Sequence, residues 1–305
     1  MYDIIVIGAG PAGLTAAIYA SRAKKKVLVL EAESYGGQII NTLNIENYPA
    51  IAHISGYDFA TNIYNQALDL GAEIKFEKVI NIENNSIKKV ITSNNSYETK
   101  TVIIATGCGI KKLNIDNEDK FIGKGVSYCA TCDGAFYKKK NVAVVGGGNT
   151  ALEDTLYLSN IVNIVYLIHR RDSFRGEEVY YSKLKKKDNV HFILNSNVTK
   201  LIGNELLEKI EVTDNNGKKS IISVSGLFVA IGRVPENANF AKLVDVDKSG
   251  YIISSENCNT KIDGIFVAGD CRVKKLRQLV TAASDGALAA TEAIKYINSK
   301  KWYIR

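Results

Sequence analysis

A glycine-rich segment that occurs twice is the feature that most constrains the fold of this chain. The two copies are Val6-Ile-Gly-Ala-Gly-Pro-Ala-Gly13 and Val144-Val-Gly-Gly-Gly-Asn-Thr-Ala151, offset by 138 residues. Each copy follows a β-branched run and precedes a helix-like segment, which is the strand-turn-helix context of a dinucleotide-binding fingerprint. There the glycines permit a tight turn and let the backbone approach a pyrophosphate at the positive end of a helix. The sequence therefore predicts an α/β chain with two doubly wound, Rossmann-like units.

The second strand of each copy distinguishes two ligands. Glu31 ends an apolar run, where a carboxylate accepts hydrogen bonds from both hydroxyls of an adenosine ribose. The equivalent position of the second copy is His169, followed by Arg170, Arg171 and Arg175. Guanidinium groups bind a 2′-phosphate, which a carboxylate would repel. We therefore expect an unphosphorylated ribose in the first site and NADP in the second, with ordinary surface ion pairs as the alternative for the arginines.

A Cys-x-x-Cys pair, Cys129 and Cys132, lies just ahead of the second fingerprint. Beside a nucleotide-binding unit this motif is typical of redox chemistry, because it lowers the pKa of one thiol and lets both sulfurs cycle between dithiol and disulfide. We expect an electron relay from NADPH through a flavin to this pair and then to a partner's disulfide. Asp133 is a candidate to carry a proton to and from the thiols, with a turn or cap residue as the alternative. The remaining cysteines and histidines offer no pair at ligand spacing, so we expect no metal site.

The order of the apolar runs gives the domain plan. Three runs look like buried strands that close on a glycine turn, at 103–107, 227–233 and 264–270. A long helix rich in small residues follows the last of them, at 279–296. This order predicts a discontinuous first domain, residues 1–111 and 241–305, into which a second domain, residues 112–240, is inserted.

Composition excludes several classes of function. The formal net charge is +7, but the lysine runs have no interleaved aromatic residues, so we expect solvated helix ends and turns rather than a nucleic-acid surface. A basic face that steers an acidic protein partner is the alternative. The uncharged stretch 4–20 is interrupted by glycines and a proline, so we expect no membrane span. With no leader and only five scattered cysteines in 305 residues, we expect a cytoplasmic protein.

Further motifs follow in a fixed order along the chain: Gly36-Gly37-Gln38, Glu46-Asn47-Tyr48-Pro49, Ala105-Thr106-Gly107, Cys129-Ala-Thr-Cys-Asp-Gly-Ala-Phe136, Gly269-Asp270 and Arg277-Gln278. Together with the fingerprints and the arginine cluster, they resemble the low-molecular-weight, bacterial-type, NADPH-dependent thioredoxin reductases nearly end to end. Two features depart from the usual pattern. Cys271 stands where we expect an apolar residue, and residues 114–119 lack the common Pro-Gly turn.

The resemblance implies a homodimeric thioredoxin-disulfide reductase with FAD in the first domain, and with NADPH and the active disulfide in the second. The residues expected to bind FAD are Gly8, Gly10, Gly13, Glu31, Gly37, Gln38, Asn47, Thr106, Gly107, Asp270, Arg277 and Gln278. The residues expected to bind NADPH are Gly146, Gly148, Asn149, Thr150, His169, Arg170, Arg171, Arg175, Ile231 and Gly232. The resemblance also implies that Cys132 faces the flavin and that Cys129 attacks thioredoxin. A helix cap is the alternative for Asp270, and ordinary turns are the alternative for Gly37 and Asn47.

Two other functions compete with this interpretation. A ferredoxin-fed thioredoxin reductase of the same fold would not need the arginine cluster. A flavin-binding redox sensor that does not turn over could dispense with both the arginines and Asp133.

Overall fold

The chain folds into two compact units. The computed structural model describes residues 1–42, 44–300 and Trp302. The first unit is formed by Met1–Gly109 with Val234–Arg305, and the second by Ile110–Arg233. The prediction of an inserted α/β domain within a discontinuous one is confirmed.

Strands and helices alternate along most of the chain. The strands are β1 (Tyr2–Ile7), β2 (Val27–Glu31), β3 (Glu73–Phe76), β4 (Val79–Glu83), β5 (Lys88–Thr92), β6 (Ser96–Ile104), β7 (Cys108–Ile110), β8 (Val126–Ser127), β9 (Asn141–Val145), β10 (Ile164–Ile168), β11 (Val190–Ile193), β12 (Ser196–Ile202), β13 (Lys209–Asp214), β14 (Lys219–Ser223), β15 (Gly226–Val229), β16 (Arg233–Pro235) and β17 (Ile265–Val267). The helices are α1 (Pro11–Arg22), α2 (Gly56–Asp69), α3 (Glu118–Phe121), α4 (Ala130–Asp133), α5 (Asn149–Leu158), α6 (Glu178–Leu184) and α7 (Leu279–Ser299). β7 and β16 form a separate two-stranded sheet.

A seven-stranded sheet forms the centre of the first unit. Its order is β3-β2-β1-β6-β5-β4, and β17 also pairs with β6. β1 runs parallel to both β2 and β6, and its residues 4–6 are fully buried. Such a continuous apolar run is typical of a parallel strand that is covered on both faces. α1 and α7 cover one face, where Ile4, Val6 and Leu14 pack with Ala289 and Ala293.

The second unit repeats this plan on a smaller scale. Its parallel sheet has the order β11-β10-β9-β15-β8, and β12-β13-β14 form a separate antiparallel sheet. β9 lies between β10 and β15, as β1 lies between β2 and β6. The two fingerprints therefore follow equivalent central strands.

The second crossing between the units lies at 233/234, whereas the sequence placed it at 240/241. Residues 234–240 pack with the first unit because Asn237, which is 1% exposed, is bonded into it. The side-chain amide of Asn237 donates to the carbonyl oxygens of Gly250 (2.9 Å) and Cys271 (2.8 Å), and Thr106 Oγ1 donates to its Oδ1 (3.1 Å). The first crossing lies at 109/110, two residues before the expected position.

Among the described residues, no helix is both long and apolar enough to cross a membrane.

Candidate active site

The first fingerprint forms the turn between β1 and α1. Gly8 has a φ of +108°, and a Cβ built on it would lie 2.4 Å from the carbonyl oxygen of Ala105. A Cβ on Gly13 would lie 1.9 Å from the carbonyl oxygen of Gly8. Gly10 differs, because a Cβ on it would meet no atom within 4 Å in the described part of the chain. Gly10 is the N-cap of α1 and has no side chain to satisfy the first N–H groups of the helix, so the open space suits a pyrophosphate.

The second fingerprint has the same geometry between β9 and α5. Gly146 has a φ of +157°, and a Cβ on it would lie 2.4 Å from the carbonyl oxygen of Ala230. Gly148 is the N-cap of α5, and a Cβ on it would again meet nothing within 4 Å among the residues that the structure describes. Protein packing therefore explains the first glycine of each copy but not the glycine at the helix start. The open space at the helix start suits a phosphate group in contact with the backbone.

Glu31 ends β2 with its carboxylate bonded to the first fingerprint. Its Oε2 accepts a hydrogen bond from the backbone N–H of Ala9 (2.7 Å), and its Oε1 accepts one from the N–H of Glu33 (3.1 Å). The two bonds fix the carboxylate beside the turn. Each carboxylate oxygen keeps a second acceptor position for a ribose hydroxyl.

His169 lies under the second fingerprint. A Cβ on Gly147 would lie 2.1 Å from the Cε1 atom of His169, whose ring is buried and stacks on Phe174 at 5.3 Å between centroids. Burial and the nearby arginine charges lower the pKa of His169, so the imidazole is neutral at pH 7. Its buried Nε2 has no hydrogen-bond partner among the described residues, which leaves a polar atom available to a ligand.

The loop after His169 is tied to the fingerprint turn. The backbone N–H of Arg175 donates to the carbonyl oxygen of Gly147 (2.7 Å). The Asn149 side chain both accepts from the backbone N–H of Glu177 (2.7 Å) and donates to its carboxylate (2.9 Å). Arg170, Arg171 and Arg175 are all exposed on this loop. Three exposed guanidinium groups on a loop fixed to the fingerprint turn suit a 2′-phosphate.

The other residues expected at the NADPH site lie around the same turn. Thr150 is exposed on the first turn of α5, and Gly232 has a φ of +121° after β15. Ile231 is half-buried and packs against the core of the second unit.

The residues expected around the flavin come together in the first unit from distant parts of the sequence. Gly37 has a φ of +58°, and a Cβ on it would lie 3.4 Å from the Cα of Gly10. Asn47 Nδ2 donates to Gln278 Oε1 (3.2 Å), across 231 residues of sequence. Gln278 is also the N-cap of α7, in a capping box with Thr281. Gln38, also expected at the flavin, is exposed. The guanidinium group of Arg277 lies 4.1 Å from the centroid of the Tyr251 ring.

The turn that carries Asp270 is anchored by a buried ionic cluster. The backbone N–H of Gly269 donates to Asp285 Oδ2 (3.0 Å). Asp285 also accepts from Arg272 Nη1 (3.0 Å) and Lys274 Nζ (2.8 Å). A buried carboxylate is stable when it is paired and hydrogen-bonded in this way. The cluster therefore fixes the backbone that presents Asp270. Gly107, also expected at the flavin, lies after β6 and has a φ of +72°.

Cys129 and Cys132 form a disulfide with a Cα–Cα distance of 5.3 Å, and both are half-buried. The pair brackets the start of the short helix α4, and Thr131 between them is exposed. The three other cysteines are buried. Burial raises the pKa of the Cys271 thiol to about 11 and that of Cys258 to about 12, so neither is a thiolate at pH 7.

Asp133 lies at the end of α4, directly after the disulfide. Burial raises the pKa of its carboxyl, and a hydrogen bond from Ser127 lowers it. Ser127 Oγ donates to Asp133 Oδ2 at 2.6 Å. The raised pKa brings the carboxyl closer to the range in which it can both accept and return a proton near neutral pH. In the described ranges, no group of three or more His, Cys, Asp or Glu side chains is placed to hold a metal ion.

Comparison with known proteins agrees with this geometry. Residues 2–286 match the family model described as pyridine nucleotide-disulphide oxidoreductase. The chain is 40% identical over 304 residues to a thioredoxin reductase of Listeria innocua, covering 99% of this chain and 95% of that protein. A thioredoxin reductase of Mycoplasma genitalium is 42% identical over 293 residues, with 95% and 93% covered. The crystal structure of the Streptococcus pyogenes thioredoxin reductase superimposes with a TM-score of 0.95 at 39% identity, covering 98% of this chain and 99% of that one.

The chain belongs to the thioredoxin reductase family of the pyridine nucleotide-disulphide oxidoreductases.

Three residues of the candidate site were not found by sequence reasoning. They are Ser127, which is bonded to Asp133 and the Cys129 backbone, Asn237, which is bonded to Thr106, and Asp285, which is bonded to the N–H of Gly269 in the Asp270 turn. Asp285 carried a usable signal, because it is an acid in the otherwise small and apolar stretch 282–290. Ser127 and Asn237 carried none, since both are ordinary turn and strand-end residues in sequence.

Proposed function

We propose that this protein is an NADPH- and FAD-dependent thioredoxin reductase that delivers electrons through the Cys129–Cys132 disulfide. The observation that carries the proposal is the disulfide itself. It lies next to the half-buried Asp133, in the same unit as a fingerprint followed by three exposed arginines. A reducible disulfide in the same unit as a site suited to a 2′-phosphate supports a pyridine nucleotide as donor and a disulfide as acceptor.

The residues around the two fingerprints suit the two cofactors. Open space at Gly10 and Gly148, and the unsatisfied Nε2 of His169, support ligands that carry phosphate groups. When bound, NADPH supplies a hydride and FAD supplies a two-electron carrier able to reduce a disulfide. In this proposal Glu31 accepts hydrogen bonds from the FAD ribose, and the arginine cluster holds the NADPH 2′-phosphate.

The chain's own chemistry is thiol–disulfide exchange. One thiolate of the reduced pair attacks the partner's disulfide, and the second resolves the resulting mixed disulfide. We assign attack on thioredoxin to Cys129 and the flavin-facing position to Cys132. Asp133 holds a proton that the thiols lose and return. We also propose that the protein is a homodimer, as its resemblance to the family implies.

Titration of the purified protein with NADPH tests this function. We expect a yellow protein that bleaches with NADPH and is reoxidised by oxidised thioredoxin over many turnovers. A protein that bleaches but does not turn over would instead be a redox sensor. A protein that NADPH leaves yellow would favour a ferredoxin-fed reductase.

Cys132→Ser tests the role of the dithiol. We expect NADPH to bleach the variant at the rate of the wild type, while reduction of thioredoxin falls to background, because one sulfur cannot complete the exchange. Cys108→Ala is the matched control, since Cys108 is a buried cysteine of the other unit and its loss should leave turnover intact. Thioredoxin turnover that survives in Cys132→Ser would remove the dithiol from the mechanism.

A further inference from the structure

Ser127 lies at the end of β8, and its hydroxyl contacts both the Cys129 backbone and the Asp133 carboxylate. The residue is 4% exposed and is held in the parallel sheet opposite Phe228 of β15. Its Oγ lies 2.6 Å from Asp133 Oδ2, 3.1 Å from the backbone nitrogen of Cys129 and 3.4 Å from the Cys129 carbonyl oxygen. A hydroxyl has one hydrogen to donate. Because Asp133 Oδ2 is the nearest acceptor, Ser127 donates this hydrogen to Asp133 and accepts a hydrogen bond from the Cys129 N–H.

The Ser127 hydroxyl therefore connects the backbone of Cys129 to the carboxylate of Asp133. Asp133 is also linked directly to Cys129, because its backbone N–H donates to the Cys129 carbonyl oxygen (3.1 Å). The bond from Ser127 stabilises the ionised carboxylate, whereas burial favours the neutral acid. These two opposed effects act on the group that we propose carries the proton.

We propose that Ser127 is a positioning residue for proton transfer at the dithiol, where its hydroxyl holds the Asp133 carboxylate and the Cys129 backbone in one arrangement. This inference rests on the proposed disulfide reductase function, and it adds a residue to that function's proton pathway.

Disulfide exchange with a partner requires a group that takes up and releases a thiol proton, and we assign this role to Asp133. Oxidation of the reduced pair by a partner breaks the partner's S–S bond and forms the Cys129–Cys132 bond. The electron pair passes from the enzyme sulfurs to the partner sulfurs, and the two thiol protons end on the partner thiols. The Asp133 carboxylate takes up one of these protons and releases it, so its charge state limits the rate at low pH.

Other titratable groups lie on the elements packed around α4. The pKa of Tyr137 is raised to about 12, by burial first and by the charge of Asp133 second, so Tyr137 stays neutral near pH 7. Helix α5 packs against this segment, since a Cβ on Gly134 would lie 3.0 Å from both Tyr157 and Leu158. Asp154 is one turn earlier on α5, and burial raises its pKa to about 7, so it titrates in the range of interest. Asp154→Asn is therefore a necessary control.

The neighbouring Tyr128 supplies a control for a purely structural role. Its hydroxyl donates to Glu118 Oε1 (2.8 Å), and Glu118 also accepts from the backbone N–H groups of Leu113 (2.9 Å) and Asn114 (2.7 Å). This half-buried bond fixes the same segment of chain without contacting Asp133. Tyr128→Phe should therefore disturb the path into Cys129 as much as Ser127→Ala does, but leave the carboxylate unchanged.

The experiment measures the pH dependence of single-turnover disulfide exchange by the full protein after reduction with dithiothreitol. Oxidised thioredoxin and 5,5′-dithiobis(2-nitrobenzoate) are used as separate oxidants. Ser127→Ala should move the low-pH midpoint of the rate upward by about one pH unit, which makes exchange roughly tenfold slower below the midpoint. Ser127→Thr keeps the hydroxyl and should restore the wild-type profile. Asp133→Asn should abolish the low-pH limb, and Ser127→Ala should then have no further effect on it.

The outcomes separate the two proposals. A midpoint that moves in Ser127→Ala, but not in Tyr128→Phe or Asp154→Asn, supports the positioning role. An unmoved midpoint in a folded Ser127→Ala variant, or an equal shift in Tyr128→Phe, overturns it. If the shift occurs with the aromatic disulfide while thioredoxin is not reduced, the role of Ser127 stands and the proposed protein substrate is wrong.

Discussion

Two side-chain types at equivalent positions distinguish the two nucleotide sites. Glu31 after β2 is a single carboxylate bonded to the fingerprint turn, whereas β10 is followed by a buried His169 and exposed arginines. A guanidinium group donates up to five hydrogen bonds and keeps its charge, which suits a phosphate monoester. We therefore propose that single residues decide the difference in nucleotide preference, since the backbone of the two fingerprints is alike.

Removal of two arginines should change nucleotide selectivity. In Arg170→Ala with Arg171→Ala, we expect the KM for NADPH to rise by about tenfold or more, because each charged hydrogen bond contributes about 1.5–3 kcal/mol. The KM for NADH should change little, since it lacks the 2′-phosphate. Steady-state kinetics with both nucleotides checks this, with Arg22→Ala on α1 of the first unit as the control. An equal rise for both nucleotides would place the arginines elsewhere.

At the scale of elements, α7 stabilises the Asp270 turn through one acid. Asp285 is on α7, its side chain is 8% exposed, and it pairs with Arg272 and Lys274 whose side chains are each 10% exposed. α7 also packs closely on α1, because a Cβ on Gly286 would lie 2.1 Å from the carbonyl oxygen of Ala12. The helix thus joins the first fingerprint to the turn at the end of β17.

Asp285→Ala should be strongly destabilising, because it leaves two buried cations without their counter-ion. We expect the free energy of unfolding to fall by about 3–5 kcal/mol. Glu292→Ala on the same helix removes an acid from an exposed pair with Lys295, and it should cost less than about 1 kcal/mol. Urea denaturation of both variants makes the comparison, and FAD retention on dialysis gives a second measure for Asp285→Ala. Similar losses in the two variants would contradict a structural role for the buried cluster.

At the scale of the whole molecule, the net charge of +7 affects encounters with a partner. A positively charged protein attracts an acidic partner over a distance that salt shortens from about 30 Å at 0.01 M to about 3 Å at 1 M.

The rate of thioredoxin reduction should therefore fall severalfold with ionic strength when the thioredoxin is acidic. Prereduced protein is used in the stopped-flow measurement, so that salt effects on NADPH binding do not contribute. An uncharged small disulfide serves as the control and should show little dependence. A salt-independent rate with the acidic protein would indicate that the basic residues act only as solvated surface.

Features that depend on local sequence were predictable, whereas features that depend on tertiary packing were not. The strands before the fingerprints and the run at 103–107 were predictable because burial on both faces requires continuous apolar residues. The domain boundary at 233/234 was not predictable from the sequence, which placed it at 240/241. The position of residues 234–240 depends on hydrogen bonds from Asn237 to Gly250 and Cys271. Helix ends are also decided by neighbours, and α7 extends to Ser299, three residues beyond the expected end.

The sequence by itself determined the chemistry that we propose, since each fingerprint, the Cys-x-x-Cys pair and the arginine cluster are short segments whose proposed roles follow from local backbone geometry and side-chain type. Only the tertiary structure decided which groups support that chemistry. Ser127 reaches Asp133, and Asp285 reaches the Gly269 turn, because the path of the folded chain brings them within hydrogen-bond distance. Burial, which moves the pKa of Asp133, is likewise a property of the surrounding packing and is not encoded at the residue itself.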